Sequence, residues 1–342
     1  MHRWQWSKRT VVLIVLCAGV LAPAVDPGLV TATSQGGQWQ AFDHAFEAVA
    51  PSSGFLAAEI VDGSCEPVHG FHENQRLAVA STIKLYVLAE LARQVSTGEA
   101  SWDELYPIQD DLKSLPSGSM ALLPAGTRRP LRDYAARMIA ESDNTATDHL
   151  IQRLGRQNIE EHLATFGHGA PELNRPFLNT RELFTFRIGM SSDQVAAYLG
   201  ANDTEQRRML TDVVDPYPLL EVGWGNWSTP EWADSVEWFA SPAEICTVLA
   251  KLSEMSKQPP LRPLSDILTQ NRGGNVSPRD WPVACFKGGY EAGVYNLSWL
   301  LTREDGRVFV LTAGFNDPNN YIDQGASGIL ALHAADLLAS ER

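Results

Sequence analysis

Strand-like runs at the two ends of the chain enclose a long stretch that reads as helix, and this distribution limits the fold more than any single motif. Near the start, FLAAEIVDGSCEPVHGF sets two apolar runs around Asp62-Gly63-Ser64, the pattern of a β-hairpin. Late in the chain come VACFKGG and GVYNLSWLLTREDGRVFVLTAGF, with Asp305-Gly306 as a turn between β-rich runs. Helical patterns fill most of the interval. Leu131–Ala140 spaces Leu131, Tyr134 and Met138 along one face behind Pro130, and Thr145–Gly155 turns Leu150, Ile151 and Leu154 inward and stops on glycine. Ser241 before Pro242 is a helix cap, and IDQGASGILALHAADLLAS closes the chain as a helix. The expected fold is α+β: one antiparallel sheet built from both termini, covered by helices, with an inserted helical lobe. The α/β lobe takes residues 40–85 and 275–342 and the helical lobe 86–274. A cleft between the lobes is the natural place for a site.

Ahead of this domain, a basic start (MHRWQWSKRT) leads into VVLIVLCAGVLAPAV and then the small residues Ala22-Pro23-Ala24, a secretory pattern. The apolar run is shorter than the about 20 residues of a membrane span. Residues 1–32 are therefore expected to be removed, giving a secreted, periplasmic or cell-envelope protein without a membrane span in its mature form; an uncleaved anchor is the alternative. Cys17 follows Leu16, which is bulkier than lipid-attachment signals favour. Gln35–Gln40 reads as a linker before an amphipathic helix over about 40–50. The charge balance, 27 Lys and Arg against 41 Asp and Glu, gives −14 and argues against a nucleic-acid partner. Cys65, Cys246 and Cys285 remain after export, so at most one disulfide forms, Cys65 pairing with Cys246 or Cys285. His69 and His72 lack a third partner and read as surface histidines; no metal or other cofactor is expected.

Three short motifs bear chemistry. LAVASTIKLYVLAELARQ opens a helix with Ser81 and Lys84 three residues apart, hence on one face. Ser142-Asp143-Asn144 stands between two helices, and Lys287-Gly288-Gly289 lies on an apolar strand. In this order they resemble the signature set of penicillin-binding proteins and class A serine β-lactamases. LPAGTRRPLRDYAARMIAESDNTATDHLIQRLG is similar to that superfamily throughout, and the likeness runs from about residue 40 to the C-terminus, weakest over 165–240. It implies Ser81 as nucleophile, Lys84 as the base that deprotonates it, and Ser142 as the proton relay. Asn144 would bind a substrate amide and steady Lys84, while Lys287 would face a substrate carboxylate. Gly289 and Tyr290 continue the substrate-binding strand, and the N–H groups of Ser81 and Tyr290 match the family's oxyanion hole. Burial and the Lys287 charge would lower the Lys84 pKa. Asp143 reads as a structural residue of the loop.

The chain also departs from that pattern. Class A enzymes carry a deacylating glutamate in an omega-shaped loop; here Arg175, in NRPFLN, falls at its place, with Glu172 and Glu182 at other spacings. Gly288 stands where the family commonly has a hydroxyl that bonds the substrate carboxylate, and no arginine follows to compensate. Extra length over 184–239 brings Trp224, Trp227, Trp232 and Trp238, read as a packed aromatic satellite or as a wall of the cleft. Three functions follow: a β-lactamase-type serine hydrolase that releases its acyl group slowly, a D-alanyl-D-alanine carboxypeptidase or transpeptidase acting on cell-wall peptide, and a non-catalytic β-lactam-binding sensor. A monomer acting on a small molecule or cell-wall peptide is expected.

Overall fold

The computed structural model describes residues 35–218 and 229–340. The N-terminal apolar segment with Cys17, and both Trp224 and Trp227, lie outside the described residues. The strands are β1 (Ser52–Val61), β2 (Ser64–Phe71), β3 (Leu77–Ala78), β4 (Leu105–Pro107), β5 (Arg128–Pro130), β6 (Phe239–Ala240), β7 (Val283–Glu291), β8 (Val294–Thr302) and β9 (Val308–Asn316). Five of them form an antiparallel sheet in the order β2-β1-β9-β8-β7, so the two ends of the chain meet at its centre. Asp62 and Gly63 both have positive φ, 50° and 77°, as the tight turn joining β1 and β2 requires. The small ladders β3–β6 and β4–β5 tie the inserted segment to itself and to the sheet's rim.

The helices are α1 (Gln35–Glu47), α2 (Lys84–Thr97), α3 (Leu131–Ala140), α4 (Asn144–Leu154), α5 (Arg156–His162), α6 (Thr180–Gly189), α7 (Ser192–Leu199), α8 (Asp203–Met209), α9 (Pro242–Ser256), α10 (Pro263–Thr269) and α11 (Gln324–Ser340). Alternate residues of a strand face opposite sides, and here both sides are covered. Phe55 and Ala57 pack against Phe42 and Phe46 of α1 and Ala334 and Leu338 of α11. Leu56 and Ala58 join the larger cluster formed by α2, α3, α4 and α9. Burial on both faces explains why β1 reads as a nearly unbroken apolar run.

Residues 35–40 are helix rather than linker. Trp39, 6% exposed and stacked on His69 with 4.4 Å between ring centroids, anchors the first turns of α1 despite Gly36 and Gly37. His69 also bonds Asp43 at 2.7 Å, so it belongs to the α1–β2 packing. Ser241 caps α9 in a reciprocal capping box with Glu244, and Gly98 closes α2 in the left-handed conformation. Cys65 pairs with Cys246, joining β2 to α9, and Cys285 remains a buried thiol. Trp238 is 3% exposed, donates to Leu178 O and belongs to the apolar cluster of α2 and α4, so it is core rather than cleft wall.

Candidate active site

Ser81 sits in a 3₁₀ turn, Ala80–Ile83, that runs directly into α2. The regular helix thus begins at Lys84, one turn later than the sequence pattern suggests. The turn is held from several directions. Val79 N donates to Trp238 O, Asn316 brackets Ala78 through its N–H and carbonyl, and Thr82 Oγ1 donates to Asn296 Oδ1 on β8. Ala80 is fixed at φ 45°, a conformation that costs of order 1–3 kcal/mol in a non-glycine residue and collects at functional sites. Gly289 lets β7 close on this turn, since a Cβ there would stand 2.1 Å from Val79 O and 2.9 Å from Ser81 N. Its role in the geometry is therefore one of space.

The edge strand β7 presents backbone groups to the same place. Phe286 N bonds outward to Asn271 O, away from β8. With no bulge between residues 283 and 291, the period of two turns the N–H groups of Gly288 and Tyr290 to that outer edge as well. The Ser81 turn packs beside it.

Lys84 rises from the first turn of α2 and is fully buried. Its Nζ donates to Ser142 O at 2.6 Å, Ser142 Oγ at 3.2 Å and Asn144 Oδ1 at 2.7 Å. None of these bonds goes to Ser81, which lines the adjoining cleft. Lys287 Nζ reaches the other side of Ser142 Oγ at 3.0 Å and also donates to Gly288 O at 2.5 Å. The Ser142 hydroxyl is consequently shared between two buried amines. Burial pushes the Lys84 pKa down to about 7, against the pull of Asp148, Asp143 and Glu291. Burial, followed by repulsion from Lys84, holds Lys287 well below the usual lysine range. The mutual repulsion expected to depress Lys84 thus registers on Lys287.

The loop bearing Ser142 is itself strained, with φ 55° at Ser142. Asp143 stabilises it: its carboxylate accepts from Ser119 N, Met120 N and Ala146 N at 2.7–2.8 Å, the last as the cap of α4. Ser117 Oγ donates to Ser142 O, and Asn144 Nδ2 to Leu115 O, so both neighbours of Asp143 are fixed too. Ser81, Ser117, Ser142, Asn144 and Lys287 all line one cleft of about 420 Å³, together with Gly288, Gly289 and Tyr290.

Neither acidic side chain of the 172–182 segment reaches this cleft. Glu182 is buried in a capping box with Asn179 and an ion pair with Arg156 at 2.5 Å, and Glu172 is exposed. Arg175 is exposed as well and donates to Glu160 O.

Residues outside the three motifs complete the site. Asp148, one helical turn beyond Asn144, accepts from Thr180 N, Thr180 Oγ1 and Arg181 N, pinning the start of α6 to α4. Its i+4 spacing from Asn144 is the signal that would have found it. Arg187 of α6 pairs with Glu237 at 2.8 Å and with Glu291 at the end of β7 at 3.2 Å. That ionic contact joins segments about 50 and 100 residues apart and leaves no local trace in sequence. Among the described residues no group of three His, Cys, Asp or Glu side chains gathers as a metal site, and no helix is long and apolar enough to cross a membrane.

The profile of the β-lactamase enzyme family matches residues 42–332. Among solved structures, a PBP-A mutant in acyl-enzyme complex with penicillin G superposes with a TM-score of 0.59 at 16% identity, over 89% of this chain and 95% of that one. A β-lactamase from Sphaerobacter thermophilus gives 0.57 at 20% identity, over 88% and 96%. An ancestral class A β-lactamase gives 0.60 at 15%, over 89% and 98%. No curated protein matches. At such identities the structures establish the common fold, and the profile, which spans most of the sequence, establishes kinship. The chain belongs to the β-lactamase enzyme family, with the fold of class A serine β-lactamases and penicillin-binding proteins.

Proposed function

We propose that the protein is an exported serine hydrolase that takes the acyl group of a β-lactam, or of a related amide or ester, onto Ser81 and releases it slowly. The observation that carries this reading is the network Lys84–Ser142–Lys287, closed by Asn144, beside the Ser81 hydroxyl in one cleft. An amine with a pKa of about 7 is substantially neutral at neutral pH and competent to accept a proton. Ser81 Oγ attacks the carbonyl carbon, and its proton passes to Lys84. The C–N or C–O bond then breaks as Ser142, between the two lysines, returns a proton to the leaving atom. The N–H groups of Ser81 and Tyr290 receive the oxyanion.

Slow release fits the position of the 172–182 segment, whose carboxylates are occupied elsewhere or exposed. Water entering the cleft meets no glutamate from that segment. The Cys65–Cys246 bond fits an oxidising compartment, in keeping with the secretory pattern of residues 1–32. The absence of Glu172 and Glu182 from the cleft also favours a second reading, acyl transfer from a cell-wall peptide.

Intact-mass spectrometry after exposure to penicillin and to activated aryl esters tests the proposal. A stable adduct on the wild type that disappears in Ser81→Ala is expected. Adduct formation that persists in Ser81→Ala, or turnover with no adduct and no dependence on Ser81, refutes it.

A further inference from the structure

The cleft has an apolar annex where carboxylate recognition would be expected. Gly288 lies on β7 with its missing side chain on the same face as Phe286, Tyr290 and, across the ladder, Tyr295 and Leu297. A Cβ at Gly288 would come within 2.7 Å of Phe286 Cζ and 3.1 Å of Asn296 O. The Phe286 ring therefore occupies the space that a hydroxyl-bearing residue needs. Behind it, Phe286 packs on Trp299 at 4.8 Å between centroids, and a second cavity of about 320 Å³ opens between β8, the loop at Gly273-Gly274 and α11. Its wall shares Asn271, Phe286, Tyr295 and Leu297 with the Ser81 cleft, so the two spaces adjoin along the edge of β7. Lys287, on the same strand, is 3% exposed and committed to Ser142 and Gly288, and the Arg272 guanidinium beside the second cavity is bonded to Trp281 O and Pro282 O. Among the described residues no arginine lines either cavity.

We propose that the substrate of this enzyme presents, on its leaving-group side, an uncharged aromatic or branched alkyl group that lies across Gly288 against Phe286, Tyr295 and Leu297. The inference rests on the reading of Ser81 as an acylated nucleophile. A carboxylate placed there would lose water and meet aromatic and aliphatic walls, an unfavourable exchange for a charge without a dedicated partner. An apolar group would gain the same burial favourably. The substrate class is accordingly a neutral ester or amide with an apolar leaving group.

Two aryl esters of phenylacetylglycine, 3-isopropylphenyl and 3-carboxyphenyl, separate the possibilities when kcat/KM is measured by phenol release and Ser81 acylation by intact mass. The isopropyl ester is expected to be preferred at least tenfold. The double variant Phe286→Ala/Gly288→Thr, which makes room for the hydroxyl residue, is expected to reduce that ratio at least tenfold. Tyr295→Ala, at a half-buried position, is expected to shrink the same ratio, with thermal melts confirming folding of each variant. Preference for the carboxyphenyl ester with Ser81 acylated overturns the apolar annex and leaves the hydrolase reading standing. A ratio unchanged in folded variants also overturns it. Release of neither phenol, with no adduct on Ser81, overturns both.

Discussion

The acylation rate should follow the deprotonation of Lys84. Its side chain is fully buried and its pKa falls from 10.5 to about 7, with burial as the main cause. At about 1.36 kcal/mol per unit, the interior disfavours the ammonium by roughly 5 kcal/mol. Asp148, Asp143 and Glu291 oppose this and keep the amine from falling further. If neutral Lys84 removes the Ser81 proton, the acylation rate at pH 5 should be about one hundredth of its plateau, rising roughly tenfold per unit until it bends near 7. Rapid-quench intact-mass measurement of adduct formation between pH 5 and 9 checks this, with Lys84→Met as the comparison. Stability has a defined sign as well. Between about 7 and 10.5 the unfolded lysine holds a proton that the folded one has released, so the unfolded state binds more protons and stability rises with pH across that window. Lys84→Met should flatten that rise in urea titrations. An acylation rate independent of pH from 5 to 7, or a Lys84→Met protein that acylates at more than a tenth of the wild-type rate, would refute the assignment of the base.

Other consequences follow from the same contacts. Asn144→Leu removes an acceptor 2.7 Å from Lys84 Nζ, so the bend in the pH–acylation profile should move to lower pH; an unmoved bend would separate Asn144 from Lys84 titration. Asp143→Ala leaves three backbone N–H groups, two of them buried and one partly so, without their acceptor and should cost at least about 3 kcal/mol in urea unfolding. A loss under 1 kcal/mol would contradict its structural role. Removing the Cys65–Cys246 bond, which spans 181 residues, should destabilise the fold by about 4 kcal/mol and lower Tm, whereas Cys285→Ala should not mimic it. Glu182→Gln should lower stability through its Arg156 pair without lengthening the acyl-enzyme lifetime; a longer lifetime would restore Glu182 as a deacylating base.

Much of the fold could be read locally. The Asp62-Gly63 turn, the Pro130 and Ser241 helix starts and the Gly98 stop are dictated by backbone conformations that few residues satisfy, so composition alone marks them. Residues 35–40 were not legible, because Gly36 and Gly37 argue against helix and only Trp39 packed on His69 overrides them. In the site, Ser81, Lys84, Ser142, Asn144 and Lys287 stood out as polar groups on elements otherwise shaped for burial. Ser117 and the Arg187–Glu291 pair did not, since their partners lie far away in the chain, and Asp148 was marked only by its i+4 spacing from Asn144.

The sequence by itself determined which elements form, in what order, and which polar residues interrupt their apolar faces, because propensity, turn chemistry and periodicity act over a few neighbouring residues. Only the tertiary structure decided that Cys65 meets Cys246, that Lys84 and Lys287 share one hydroxyl, and that Phe286 fills the space beside Gly288. Those outcomes depend on distance and desolvation between segments remote in sequence, which come into being only when the sheet closes and water leaves.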